Sequence, residues 1–287
     1  MNKLVKTKNG QRANLLEILK KDIPSELLSQ IPHRWWKIGD ILIIPIPESL
    51  TNYQILIGQS MLQLEKSKVR TVLGKTGPTR GSTRNPEFVF LAGDPNTETI
   101  HKELGCLFKL DAAKLTFSPG NHGERKRMLD IVLPNEFIID MFGCVGNLSL
   151  PIAVHNSPKQ LIITEINPIA FKYLTENISL NNVTDIVKPF LGDNRTILRD
   201  YEGLADRVIA GYLHSDMEQI TQGIRLCKEE GIFHYHEGTP KKVQDQPFTR
   251  VKQAAEQENR IVELMKKRIV KKYSPNVEHV VLDLRVI

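Results

Sequence analysis

The stretch Asp140-Met-Phe-Gly-Cys-Val-Gly-Asn147 follows the apolar run Phe137-Ile-Ile139 and precedes a helix-like segment at 148–154. Downstream, a second apolar run, Leu161-Ile-Ile-Thr164, ends in Glu165. Strand, glycine turn, helix, strand and acidic tip make up the half sheet with which Rossmann-type folds hold an adenosine. Glycines let the backbone approach the ligand, and the carboxylate accepts hydrogen bonds from two ribose hydroxyls. The turn reads D-x-F-x-x-x-G rather than G-x-G-x-x-G, and it lacks the Lys-Ser/Thr pair that a triphosphate needs. That chemistry points to a nucleoside ligand without phosphates, with S-adenosylmethionine the obvious candidate. A buried strand ending in a Gly-rich turn is common in α/β folds, so further motifs must carry the assignment.

A chain of 287 residues has room for one sizeable core and a smaller appended domain. With 40% hydrophobic and 25% charged residues, its composition is that of an ordinary soluble globular protein. No apolar run approaches the length of a membrane span, and residues 1–11 are polar and basic without a signal-peptide core. Three cysteines, Cys106, Cys144 and Cys227, are odd in number and widely spaced. No disulfide framework or zinc knuckle follows, and a reducing cytoplasm is expected. A net charge of +6 fits a polyanionic partner better than an acidic one, although a solvated basic surface would carry the same charge.

Apolar spacing predicts helices through Leu15, Leu16, Ile18 and Leu19, through Leu27, Leu28 and Ile31, and over 56–64. Strands are predicted at 41–46, 88–92, 106–110 and 114–117, with a basic loop or loose hairpin at 70–87. Residues 1–110 thus form a small α+β domain. Residues 111–287 form the second domain, with 111–136 as its leading segment. From Phe137 strands and helices alternate strictly. Strands at 137–141, 161–165, 186–191, 207–213 and 232–236 are separated by helices, the clearest at Pro168–Leu180 and 217–229. This is a doubly wound parallel sheet. Strands at 267–273 and 278–286 are joined by too short a link for a parallel crossover, so they form an antiparallel terminal hairpin. That combination is the signature of a class I methyltransferase-like domain.

Along this frame lie blocks that resemble one family. They include Asp40-Ile-Leu-Ile-Ile-Pro-Ile-Pro-Glu48, Thr97-Glu-Thr-Ile-His-Lys-Glu103, Phe108-Lys-Leu-Asp-Ala-Ala-Lys114 and Phe117-Ser-Pro-Gly-Asn121. Downstream come Glu124-Arg125, the 140–151 turn, Gly192-Asp-Asn-Arg195, Asp206-Arg-Val-Ile209, Gly211-Tyr-Leu-His-Ser215, His234-Tyr-His236 and 273–286. The chain resembles the archaeal wybutosine-synthesising tRNA aminocarboxypropyltransferases, siblings of the archaeal and eukaryotic tRNA guanine-37 N1-methyltransferases. The fourth strand separates the two. The methyltransferases carry an Asn-Leu-Pro type turn there, whereas Gly211-Tyr-Leu-His-Ser215 is similar to the aminocarboxypropyltransferase pattern.

The resemblance implies transfer of a 3-amino-3-carboxypropyl group from S-adenosylmethionine to 4-demethylwyosine beside the anticodon of tRNA-Phe. The partner it implies is the anticodon arm, with the protein a cytoplasmic monomer away from membranes. The alternatives are guanine N1-methylation at the same nucleotide, or a tRNA-binding module with a degenerate cofactor pocket. By resemblance Ser118 and Arg125 hold the methionine part of the cofactor, since a guanidinium clamps a carboxylate bidentately. An exposed charged helix turn is the plain alternative for 124–127. Asp140, Phe142 and Gly146 belong to the cofactor turn. Glu165 is expected at the ribose, and Asp193 and Asn194 at the adenine amino group. The family's turn usually has glycine where this chain has Cys144, and a side chain there could crowd the cofactor or demand a changed turn.

His234 and His236 share a strand face. Packing or substrate contact is the expected role, and zinc would need further ligands. No metal is expected. His214 is the only guess for a base. Basic residues Lys66, Lys68, Arg70, Lys75, Arg80 and Arg84, and a second run of Lys266, Lys267, Arg268, Lys271 and Lys272, are candidates for phosphate contact.

Overall fold

The computed structural model describes residues 9–79, 81, 84 and 86–287. The chain forms two compact units. One runs up to Glu103 and takes in Leu107–Pro119; the other comprises Leu104–Cys106 and Gly120–Ile287. The first unit therefore reaches past the boundary expected at residue 110.

The first unit begins with α1 (Asn9–Leu19) and α2 (Ser25–Leu28), followed by β1 (Trp36–Ile38) and β2 (Ile41–Pro45). Then come α3 (Gln54–Leu64), β3 (Thr71–Lys75), β4 (Phe88–Gly93), β5 (Glu98–Glu103) and β6 (Cys106–Asp111). Its four-stranded sheet has the order β1-β2-β3-β4, and β5 pairs with β6 separately. Ile41, Leu42, Ile43 and Ile44 are all fully buried, which explains the unbroken apolar run. Leu15 and Leu19 of α1 and Ile57 and Met61 of α3 close the core over Leu42, Ile44 and Val72.

Three expectations change here. The basic loop predicted at 70–87 contains β3, paired in parallel with β2 and antiparallel with β4, so its hairpin character holds but its first residues are buried sheet. Arg80 lies outside the described residues. Arg70 is not a free phosphate contact. Its guanidinium bonds Asp40 at 3.0 Å and the carbonyls of Asn96 at 2.7 Å and Glu98 at 2.8 Å, so it clamps three segments. The strand predicted at 114–117 is a turn. The N–H groups of Lys114 and Leu115 both donate to the Asp111 carbonyl, while Leu115 and Phe117 pack inward.

The second unit contains α4 (His122–Ile131), β7 (Phe137–Asp140), α5 (Ser149–His155), β8 (Gln160–Glu165), α6 (Pro168–Leu180) and β9 (Val187–Leu191). It continues through α7 (Asn194–Ile197), β10 (Ala205–Ala210), α8 (Met217–Leu226), β11 (Cys227–Pro240), α9 (Gln246–Gln257), β12 (Val262–Ser274) and β13 (Val277–Val286). The seven-stranded sheet has the order β12-β13-β11-β10-β7-β8-β9. The five strands β7 to β11 are parallel, and β13 inserts antiparallel between β11 and β12. This is the class I methyltransferase-like fold. Strand order reverses between β7 and β10, the switch point at whose carboxyl side such sheets bind ligands. Asn167 caps α6, accepting from the N–H groups of Ile169 and Ala170, and Asp216 with Gln219 forms a capping box on α8.

A buried polar lattice joins α4 to β11 and β13. Arg127 bonds Glu124 on its own helix and Asp283 on β13, at 2.6 Å to the Asp283 Oδ2. His234 donates from Nδ1 to the same carboxylate at 2.6 Å and accepts from Arg207 at Nε2, which defines a neutral tautomer. Burial alone would raise the Asp283 carboxyl, but the hydrogen bond from His234 and the hydrogen bonds and charge of Arg127 hold it well below the usual range. His236 Nδ1 meets His279 Nε2 at 3.0 Å. Burial pushes both imidazoles from 6.5 down to about 3.

An acid sensitivity follows from that last pair. Their folded pKa values lie below the unfolded one, so this contribution to stability is complete above about pH 6.5 and is lost as pH falls toward about 3. His279→Gln should flatten the decline in unfolding free energy between those limits by up to about 1.4 kcal/mol per pH unit. Denaturant titrations at stepped pH measure it; an unchanged slope would mean the pair does not titrate there.

Candidate cofactor and active site

The turn after β7 is held by its neighbours. The Gly143 N–H donates to the Thr164 carbonyl at 2.9 Å, and the Thr164 hydroxyl donates to the Met141 carbonyl at 2.9 Å. A Cβ on Gly143 would lie 2.1 Å from the Ile163 Cγ2, so glycine is required by contact with β8. Gly146 has φ +92° and would collide with Leu150 if it bore a side chain.

Cys144 takes the glycine-like conformation itself, with φ 51°. Its N–H donates to the Glu165 Oε2 at 2.6 Å, and the Asn167 N–H donates to the other oxygen at 2.7 Å. Cys144 thus holds a left-handed turn at the strain a non-glycine residue meets in that region. Burial, then the charge of Glu165, pushes the Cys144 thiol up to about 12, so it is no nucleophile at neutral pH.

Asp140 ends β7 with its Oδ1 accepting from the Phe142 N–H at 3.0 Å. Burial pushes its carboxyl up to about 6. Burial also raises Glu165, opposed by the N–H groups it accepts. Each Glu165 oxygen accepts a backbone N–H and has a further lone pair, which suits ribose hydroxyls. Asn194 is buried and donates to the Met141 carbonyl at 3.0 Å, while its Oδ1 is buried with no hydrogen-bond partner. An orphan acceptor beside the switch point fits a ligand amino group such as that of adenine. Asp193 caps α7 and accepts from the Arg195 side chain at 3.0 Å; that hydrogen bond first, then the Arg195 charge, lowers its pKa. Arg195 reaches on to Glu218 at 3.2 Å. Thr164 and Arg195 were missed in the sequence, because their roles depend on which strand tips meet.

Asp140, Phe142, Gly146, Glu165, Asp193 and Asn194 all lie in the second unit at the carboxyl ends of β7, β8 and β9. Arg125 lies on α4 of the same unit and is 1% exposed, so the exposed-turn alternative for 124–127 fails at its key residue. Ser118 is half-buried and belongs to the first unit. His214 is exposed beyond β10, its Nε2 3.4 Å from the Tyr273 hydroxyl. His234 and His236 are each 1% exposed and packed. Among the described residues no group of three or more His, Cys, Asp or Glu could hold a metal ion.

Because Cys144 occupies a left-handed position, Cys144→Gly should raise the unfolding free energy by about 0.5–1 kcal/mol. It should leave cofactor affinity intact. Chemical denaturation and calorimetry check both; lost stability would show that packing of the half-buried thiol outweighs the strain.

The sequence matches the TRM5/TYW2 methyltransferase domain over residues 99–264 and the TYW2 N-terminal domain over residues 15–97. It is 40% identical to the tRNA(Phe) (4-demethylwyosine(37)-C(7)) aminocarboxypropyltransferase of Pyrococcus horikoshii, over 96% of this chain and 98% of that protein. The crystal structure of P. horikoshii TYW2 in complex with MeSAdo superposes with a TM-score of 0.83 at 38% identity, covering 96% of this chain and 99% of the other. The tRNA (guanine(37)-N(1))-methyltransferase Trm5b of Pyrococcus abyssi is 35% identical over 92% of this chain but only 78% of its own length. With both of its units matched and its sheet shared, this chain belongs to the TRM5/TYW2 methyltransferase family, among the TYW2-type members.

Proposed function

We propose that the protein transfers the 3-amino-3-carboxypropyl group of S-adenosylmethionine to 4-demethylwyosine in tRNA-Phe, releasing 5′-methylthioadenosine. One observation carries this reading. The chain is 40% identical to an aminocarboxypropyltransferase over 96% of its length, and residues 15–97 match the TYW2 N-terminal domain. A bond forms between the base's ring carbon and the carbon of the arm next to sulfur; the bond from that carbon to sulfur breaks, and the ring proton leaves.

S-adenosylmethionine supplies an activated sulfonium with three attached carbons, and geometry selects among them. Glu165 suits the ribose, Asn194 and Asp193 the adenine, and the Asp140–Gly146 turn the space between. Arg125 is proposed to grip the arm's carboxylate. The Arg125 guanidinium is fully buried on α4, and its rigid fork sets a direction. Alignment of this kind supplies much of a displacement's rate enhancement. His214 remains the candidate proton acceptor.

The partner is proposed to be the anticodon arm, approached by a monomer in the cytoplasm. Lys66, Lys68, Lys266 and Lys272 are exposed and available for phosphates. Lys267 is engaged by the Gln244 carbonyl at 2.7 Å. No helix among the described residues is long and apolar enough to cross a membrane.

Two experiments test the reading. With tRNA carrying the tricyclic precursor, label in the carboxyl carbon of S-adenosylmethionine should enter tRNA and methyl label should leave in the nucleoside. Methyl label in tRNA would instead establish the methyltransferase alternative. Arg125→Lys keeps the charge but loses the fork, and should raise the KM for S-adenosylmethionine by about tenfold or more. An unaltered KM would remove Arg125 from the cofactor.

A further inference from the structure

Strand β12 stands at the edge of the seven-stranded sheet, paired with β13, and carries five basic residues within seven positions, 266 to 272. A flat strand alternates its side chains between faces, which would put Lys267 and Lys271 together. Bulges change that, because Met265, Val270 and Tyr273 are skipped in the ladder. The pairing sets Lys266 opposite Asp283, Arg268 opposite Val281 and Lys271 opposite His279. These β13 residues share the face on which α4 packs, where Arg127 binds Asp283 at 2.6 Å. Lys271 reaches the start of that helix, its Nζ 3.1 Å from where a Cβ on Gly120 would stand. Lys266, Arg268 and Lys271 therefore form a single row. Lys267 and Lys272, opposite Leu282 and Glu278, turn to the other face.

The two faces differ in countercharge. Lys267 pairs with Asp245 at 3.2 Å, and Lys272 stands across from Glu278. On the side of the row, Asp283 is already bound by Arg127 and His234, and Glu263 lies 3.6 Å from Arg285. Burial keeps His279 neutral at pH 7, so it supplies no charge opposite Lys271. Cations aligned beside acids that have other partners repel one another, and a chain of phosphates relieves that repulsion. Alternate residues of a strand stand about 6.6 Å apart, a spacing that suits successive phosphates of a single nucleic-acid strand. Met265 and Ile269 are half exposed along the same edge, at 51% and 50%. Bulges and lysines on an edge nonetheless oppose pairing with the strand of a second copy.

We infer that Lys266, Arg268 and Lys271 form a phosphate track for the single-stranded RNA flanking the acceptor nucleotide. This rests on the tRNA substrate proposed above and adds which cations meet it, and on which face. Both β11 and β12 run antiparallel to β13, so β12 points the same way as the parallel strands. Lys271 thus stands toward the carboxyl edge of the sheet and Lys266 away from it. The track leads the RNA backbone along the edge strand to the start of α4, the helix that carries Arg125. Phosphate contacts set register and add affinity without reading sequence, so the track positions the RNA and leaves base selection to other groups. Of the exposed pair Lys266 and Lys272, the track uses Lys266.

Binding of the full-length protein to tRNA-Phe is measured by fluorescence anisotropy at stepped KCl, without cofactor. Lys266→Ala, Arg268→Ala and Lys271→Ala should each weaken binding by about three- to tenfold and reduce the slope of log K against log [salt] by about 0.7. Arg268→Lys keeps the charge and should keep the slope. Lys267→Ala removes the same charge from the other face and should leave the slope unchanged. Equal losses for Lys267→Ala and the three variants of the row would reveal a diffuse basic surface and overturn the track. So would unaltered slopes in all three, or a wild-type protein that sediments as a dimer and is dissociated by Ile269→Asp. Failure of the proposed reaction reads differently. Methyl label entering tRNA, with the three slopes still reduced, would refute aminocarboxypropyl transfer and uphold the track.

Discussion

The Glu165 carboxylate accepts the Cys144 and Asn167 N–H groups on its two oxygens, while its carbonyl accepts the Gly192 N–H at 2.9 Å. One residue at the tip of β8 thereby ties together the loops that follow β7, β8 and β9. Burial disfavours its charge, and the converging N–H dipoles offset that in part. The left-handed backbone at Cys144 persists because this carboxylate holds it, together with Gly143 pressed against Ile163. A ligand meeting this edge finds acceptors already in place and little backbone left to order.

A second anchor lies across the sheet. Strand β11 carries His234 and His236 toward Arg127, Asp283 and His279 on one face, and Tyr235 and Glu237 toward Arg250 on the other. Both faces of the strand are therefore polar yet buried, held by hydrogen bonds at most of these groups, while His236 Nε2, Thr239 Oγ1 and His279 Nδ1 are buried without one. Through Arg127 the lattice fixes α4, the helix of Arg125. Through Arg250, which donates to the Ser215 carbonyl at 2.7 Å, it braces the loop of His214. The same strand thus supports the two places where cofactor and acceptor chemistry are proposed.

Much of this fold was legible because its signals are local. Helix α6 starts and stops where Pro168 and Leu180 predicted, and the parallel strands coincide with their apolar runs to within a few residues. The misreadings share a cause. Leu115 and Phe117 alternate like a strand and are buried like one, but only a pairing partner makes a strand, and a turn on Asp111 took its place. Strand β5 went unnoticed because Glu98, Lys102 and Glu103 disguise an alternating burial of Thr99, His101 and Glu103. Arg70 looked like a phosphate contact because charge shows in a sequence while its partners do not. Strand β11 was expected at 232–236 but spans Cys227–Pro240, since its ends carry charged and small residues that pairing with β13 alone makes extended.

The sequence by itself determined the order of elements, the glycine turn, the acidic strand tips and the family blocks, all of which depend on neighbours a few residues apart. Tertiary structure decided which charges are solvated and which are buried. Arg127 and Asp283 stand 156 positions apart and meet at 2.6 Å. Whether a guanidinium faces water or a carboxylate depends on packing between elements that are distant in the chain, and periodicity carries no record of that distance.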